Sequence, residues 1–177
     1  MKFHCTPRIY VACLASYNAG ELHGEWIDCE QTADEIRQDI AEMLVKSPEP
    51  FAEEWAIHDY EGFGDLRLHE YEDIGHVAEV ARLIGEHREI ITHVIEHSGG
   101  LNHLDEAKRL MEDAYQGEWD SLAEWAENFV EETGQLESIP ETLLCYFDFE
   151  KYGNDCELSG DIFTIEADGK VHVFWNN

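Results

Sequence analysis

Five residues carry the most explicit chemistry in the sequence. "HVIEH", His93 to His97, matches the H-x-x-E-H pattern of inverted zinc proteases. On a helix His93 and His97 stand one turn apart on one face, as two zinc ligands must, with Glu96 beside them. A zinc hydrolase also needs a third ligand and a cleft, and no partner block accompanies this motif. The pattern arises easily in a chain of ten histidines and 40 acidic residues. Histidines facing solvent beside acids is the preferred reading, and no metal ligand is assigned. "DFEKYGNDCELS" faintly resembles a calcium loop, but its fifth position is Tyr152 and its twelfth is Ser159, where a bidentate Glu is needed. Cys145 lies between Leu144 and Tyr146 and reads as a buried, inert thiol. There is no P-loop, G-x-S-x-G or G-x-G-x-x-G. No catalytic residue and no cofactor are expected.

The carboxylates are the stronger signal. The formal net charge is −29 over 177 residues, from 40 acidic and 11 basic residues. Charge this far from zero opposes compaction and needs a reason beyond solubility. From Leu110 to Glu150 no Lys or Arg occurs, while acids recur throughout, including Glu112, Asp113, Glu118, Asp120, Glu124, Glu127, Glu131 and Glu132. Placed on a helix, "GEWDSLAEWAENFVEETG" puts Leu122, Trp125, Ala126, Phe129 and Val130 in one core-facing stripe. Asp120, Glu124, Glu127 and Glu131 form a ridge opposite. Like charges three or four residues apart cost a helix about 0.2–0.5 kcal/mol per pair, so an ordinary surface helix would intersperse cations. Duplex DNA carries one charge per roughly 1.7 Å of axis, and 29 net charges match about 50 Å of it. Such a ridge could occupy a groove that another protein lines with Lys and Arg. The plain alternative is a solvated acidic face, or the acidity that keeps halophile proteins soluble in salt.

An α+β fold of three small domains is expected to position these groups, divided as 1–64, 65–116 and 117–177. In the first, "RIYVACL" reads as a strand, "SYNAGELHG" as a turn and "EWIDC" as a strand. "TADEIRQDIAEMLV" follows as a helix with a Thr32/Glu35 capping box, and "EEWAIHDYEGFG" as a further strand. The second is helical, with Ile74, Val77, Ala78 and Ala81 on one face. The third opens with the acidic helix. It continues with a second helix over "SIPETLLCYFDFEKYG", begun by Pro140 and a Ser138/Glu141 capping box, and ends in a hairpin turning at Asp168-Gly169. Trp55 and Trp125 are expected in cores. Core is also preferred for Trp119, over a role as an interface anchor.

Apolar residues make up 44% and aromatics 11%, enough to fold despite the charge. There is no run of 18 apolar residues, so no membrane span is expected, and the N-terminus makes a poor signal peptide. Five cysteines without a C-x-x-C pair read as reduced thiols of a cytoplasmic protein.

Three segments together resemble the ArdA antirestriction proteins of plasmids and conjugative transposons: "IYVACLASYNAGELHGEWID", "EEWAIHDYEGF" and above all "FVEETGQLESIPETLLCYFDFEKYGND". The resemblance covers nearly the whole chain and is weakest in its middle. It implies a non-enzymatic DNA mimic, an elongated homodimer of three small domains. Such a protein fills the DNA-binding groove of type I restriction-modification enzymes and does not itself bind nucleic acid. On that expectation the acids of residues 112–132 stand in for phosphates, with Glu53, Glu54, Asp59, Glu61 and Asp65 extending the surface. The resemblance also places the family's antirestriction motif, associated with the dimer contact, at about Asn128–Ile139, including Phe129, Val130, Glu131, Glu132, Thr133, Gly134 and Leu136. Asn154 departs from the arginine the family pattern leads one to expect. An acidic partner for some other DNA-binding defence protein is the competing reading.

Overall fold

The computed structural model describes residues 6–176, apart from the side chain of Glu141. The fold is α+β, with two small antiparallel sheets. Contacts divide it into two compact units, residues up to Leu104 and residues from Asp105 onward.

The first unit is built on a three-stranded sheet. Strands β1 (Arg8–Cys13), β2 (Gly24–Asp28) and β3 (Trp55–Glu61) take the order β2-β1-β3. β1 is central, so its apolar run is covered on both faces, and Ile9, Val11, Ala12 and Cys13 are fully buried. The expected turn after it begins with a short helix, α1 (Leu14–Asn18), and only then turns at Gly20. Helix α2 (Ala33–Val45) starts at the expected capping box. Thr32 Oγ1 accepts from the Glu35 amide, and Glu35 accepts from the Thr32 amide at 2.8 Å. These bonds to Thr32 hold the Glu35 carboxyl below its ordinary range. Ile36, Ile40 and Met43 bury the inner face of α2. α2 packs on α3 (Ile74–His87), and α3 on α4 (Ile90–His97). The expected face of α3, Ile74, Val77, Ala78 and Ala81, is buried, and Asp73 caps the helix through the Gly75 amide at 2.6 Å.

The second unit corrects the sequence reading at two points. The helix α5 (Leu104–Arg109) loosens into a π turn over Leu110–Ala114 and then enters a strand, β4 (Tyr115–Trp119). The acidic helix therefore begins later than expected, as α6 (Leu122–Glu132), capped by Ser121 Oγ on the Glu124 amide. β4 has no alternating pattern of its own. It forms because Tyr115, Glu118 and Trp119 pair with β6 (Lys170–Trp175), a partner about fifty residues away. The expected second helix is also two. α7 (Glu141–Leu144) has Pro140, not Ser138, at its cap position. The Glu141 side-chain half of the expected capping box lies outside the described residues. A separate helix α8 (Phe149–Ser159) is capped by Asp148 Oδ1 on the Lys151 amide at 2.9 Å. Asp148 outcompetes the upstream signal because it offers a side-chain acceptor at the cap position.

The C-terminal hairpin is as expected. β5 (Ile162–Ala167) pairs with β6 across Asp168-Gly169, both at positive φ (52° and 77°), the geometry of a two-residue type I′ turn. The sheet order is β4-β6-β5. α6 and α8 pack together and cover one face, around Trp125, Ala126, Ile162 and Val173. Trp125 stacks on Phe129 (5.3 Å, 8°) and meets Trp175 edge-on. Trp119 packs at the edge of this cluster and its indole donates to Gln116 O at 3.1 Å. On the other face Phe174 is stacked on Phe163, and His172 Nδ1 meets the Tyr115 hydroxyl at 2.8 Å.

α6 and α8 approach closely because of Gly153. A Cβ there would lie 2.8 Å from Leu122 Cγ and 3.0 Å from the Leu122 carbonyl oxygen. Gly→Ala inside an exposed helix normally stabilises by up to about 1 kcal/mol. At Gly153 the helices must instead separate, and Gly153→Ala is expected to destabilise by about 1–3 kcal/mol in urea denaturation.

Candidate protein-binding site

Helix α6 has two faces. Trp125, Ala126 and Val130 are buried, while Glu124, Glu127, Glu131 and Glu132 are exposed. The ridge thus exists over about two turns, but its expected first member does not belong to it. Asp120 lies in the turn before the helix, and its carboxylate pairs with Lys170 at the start of β6. That contact holds Lys170 above the ordinary lysine value. Among the described residues the acidic stretch therefore has a counter-charge, donated from a distant part of the chain where sequence spacing could not show it. Glu124 also folds back, accepting from the Asp120 amide at 2.7 Å, which suits a carboxylate at a helix N-terminus. Glu127, Glu131 and Glu132 have no cation within ion-pair distance among the described residues.

Glu112 and Asp113 are exposed on the π turn, and Glu118 is exposed on β4, opposite His172. Tyr115 joins this neighbourhood. Burial, reinforced by Glu118, raises its hydroxyl above the usual tyrosine value, and that hydroxyl shares a hydrogen bond with His172.

The segment Asn128–Ile139 ends α6 and turns away from it. Thr133 Oγ1 returns to Phe129 O at 2.6 Å, and Gln135 N bonds Val130 O across Gly134, which takes φ +66°. Val130 is buried, Leu136 half-buried and Ile139 exposed. Beside this turn runs a groove of about 660 Å³, floored by Val130, Leu136, Leu144 and Phe147 and edged by Glu127 and Glu131. Leu143 and Tyr146 are also exposed nearby in sequence. Cys145 lies on this groove and is exposed, not buried as the sequence reading had it. Its apolar neighbours line a surface and not a core.

In the first unit Glu53, Glu54, Asp59 and Asp65 are exposed. Glu61 is not a free acid: it pairs with Arg8, whose guanidinium also lies 4.8 Å from the Trp26 ring centre. Glu53 and Glu54 border a groove of about 630 Å³ together with Glu72, Asp73 and Arg37. Glu72 and Asp73 were missed by the sequence reading. The capping position of Asp73 before "IGHVAEV" was the available signal. Trp55, expected in a core, is half-buried on this groove.

His93 is half-buried and His97 exposed on α4. Among the described residues no group of three or more His, Cys, Asp or Glu is placed to hold a metal ion. Cys13, Cys29, Cys145 and Cys156 are free thiols. Burial, with Asp28 adding, pushes the Cys29 thiol up to about 12, and burial likewise raises Cys156. Among the described thiols, a reagent at pH 8 followed by peptide mapping is accordingly expected to modify the exposed Cys145 ahead of Cys29 and to spare Cys29, buried and held as the thiol, until the protein unfolds.

These features define an acidic α+β protein with no buried carboxylate among its described residues. The sequence model of the antirestriction protein (ArdA) family matches residues 9–170, and the chain belongs to that family. No curated protein matches the chain significantly. Among the described residues no helix is long and apolar enough to cross a membrane.

Proposed function

We propose that this antirestriction protein is a DNA mimic that competitively occupies the DNA-binding groove of a type I restriction-modification enzyme and so protects incoming mobile DNA. The observation that carries the reading is α6. Its apolar stripe is spent on the core, leaving Glu124, Glu127, Glu131 and Glu132 exposed in a stretch, 110–150, without a single Lys or Arg. A fold that segregates like charges on one side loses helix stability for it. The loss is recovered when a cationic groove supplies the missing partners and both surfaces release counterions. The protein works in the cytoplasm, as a homodimer joined through Asn128–Ile139, and carries out no catalysis. The groove beside that segment combines apolar floor and acidic edge, which fits a contact between chains.

The deciding experiment is competition. Fluorescent duplex bound to a purified type I methyltransferase is titrated with the protein at several salt concentrations. Displacement that weakens steeply with added salt supports the proposal. Displacement that is absent, or insensitive to salt, rejects it.

A further inference from the structure

The connection between α2 and β3 carries an exposed aromatic residue in an unfavourable backbone conformation. Phe51 is 95% exposed and sits at φ +64°, in the left-handed region that bulky L residues rarely adopt. The other non-glycine residues at positive φ among those described are Asp168, in the hairpin turn, and Arg88, at the end of α3. A phenyl ring held in water at an unfavourable φ gains nothing for the fold. Backbone strain of this kind persists only where the surroundings impose it.

The surroundings do impose it. The connection is fastened at both ends to α1. Ser47 Oγ lies 2.9 Å from Ser16 Oγ and 3.5 Å from Cys13 Sγ, and accepts from the Glu49 amide at 3.2 Å. At the far end the Leu14 amide donates to Glu54 O at 3.0 Å. Between these points Pro48 and Pro50 fix their own φ and restrict the residues before them. Phe51 is therefore the tip of a short, stiff, two-point-anchored arm. Val45, 86% exposed on the last turn of α2, precedes it in sequence. The acids around the arm are Glu49, Glu53 and Glu54.

We infer that Phe51 is an apolar anchor that seats in a hydrophobic pocket set among the basic residues of the DNA-binding groove of the inhibited enzyme. This rests on the DNA-mimic reading above. The partner's chemistry follows from the arm: an aromatic tip selects an apolar pocket, and carboxylates on both sides select a cationic rim. Enzymes that modify bases possess such pockets, since they extrude the target base from the stack and hold it between apolar side chains. An aromatic ring projecting between carboxylates has the same order of groups as a base projecting between phosphates. Presenting it on a rigid arm removes most of the ordering cost of binding, and buried aromatic anchors are where interface energy concentrates.

The test uses the full-length protein, a purified type I methyltransferase and fluorescent duplex. Phe51→Ala and Phe51→Gly are expected to weaken displacement of the duplex 10- to 100-fold, and Phe51→Trp to stay within threefold of the parent. The salt dependence should be unchanged in all three, because an apolar contact releases no counterions, whereas Glu53→Gln with Glu54→Gln should flatten it. Folding is a built-in control: glycine accepts the positive φ, so Phe51→Gly should melt no lower than the parent. Inhibition by Phe51→Ala and Phe51→Gly within twofold of the parent overturns the anchor while leaving the DNA-mimic reading intact. If the parent protein displaces no duplex, that reading fails and the anchor falls with it. If the substitutions change self-association in sedimentation in step with inhibition, Phe51 is a contact between copies and the inference is wrong.

Discussion

Replacing Glu124, Glu127, Glu131 and Glu132 together by glutamine is expected to abolish most of the inhibition of duplex binding while leaving the protein as stable as before, or more so. The two effects have opposite signs because the same charges act in two settings. Within the free protein, carboxylates spaced three and four residues apart repel, and each such pair costs about 0.2–0.5 kcal/mol. Glutamine removes that repulsion, keeps the side-chain length, and retains an oxygen that can accept from the Asp120 amide as Glu124 does. Against a cationic groove each carboxylate contributes roughly 0.5–1 kcal/mol, the upper part of the range for exposed ion pairs. Four of them then amount to about 2–4 kcal/mol, or roughly 30- to 1,000-fold in affinity. The salt dependence of inhibition should flatten as the carboxylates are neutralised. Single changes should weaken inhibition by no more than about fivefold. The measurement is the displacement titration run beside a urea denaturation series. A single Glu→Gln protein that is folded yet wholly inactive would refute a distributed surface and would mark that residue as a specific contact.

Trp125→Ala is expected to unfold the second unit. Trp125 is 2% exposed and stands at the centre of the cluster that joins α6 to the sheet, stacked on Phe129 and edge-on to Trp175. Truncating a buried tryptophan costs about 3–5 kcal/mol. A unit of about seventy residues commands only roughly 4–10 kcal/mol in all, so much or all of its stability is lost. The Thr133 and Gln135 hydrogen bonds that shape Asn128–Ile139 hang from the same helix and should disappear with it. Hydrogen exchange followed by mass spectrometry would show peptides from α6, α8 and the hairpin exchanging at unprotected rates. Trp125→Phe, which keeps a ring in the site, should retain protection with a smaller loss of stability. Protection in Trp125→Ala within about 1 kcal/mol of the parent would mean that the unit is held together elsewhere.

How far the sequence revealed this arrangement depended on the range of the forces involved. The capping box at Thr32, the apolar stripes of α2, α3 and α6, and the Asp168-Gly169 turn are set by residues within one or two helical turns of each other. All were legible. β4 was not, because Tyr115–Trp119 becomes a strand only by pairing with β6 near the end of the chain. The Asp120–Lys170 pair was hidden for the same reason, and with it went the belief that the acidic stretch lacks any cation. Cys145 was misplaced because a run such as Leu143–Phe147 looks alike whether it lines a core or the groove beside α6. Of the candidate site, the exposure of α6's acids could be read from periodicity. That Glu61 is occupied by Arg8, and that Glu72 and Asp73 join Glu53 and Glu54 on one groove, required the tertiary structure.

The buried polar side chains among the described residues are Ser16, Thr92 and His172, and none is a carboxylate. Inheritance of the fold and inheritance of the surface are thereby decoupled. An acid on α6 can vanish, appear or move by a turn without disturbing Trp125, Ala126 or Val130, so selection can redraw the charge pattern in single mutational steps. In a contest with an enzyme that is itself free to change, such a scaffold can follow its opponent while its own core remains fixed.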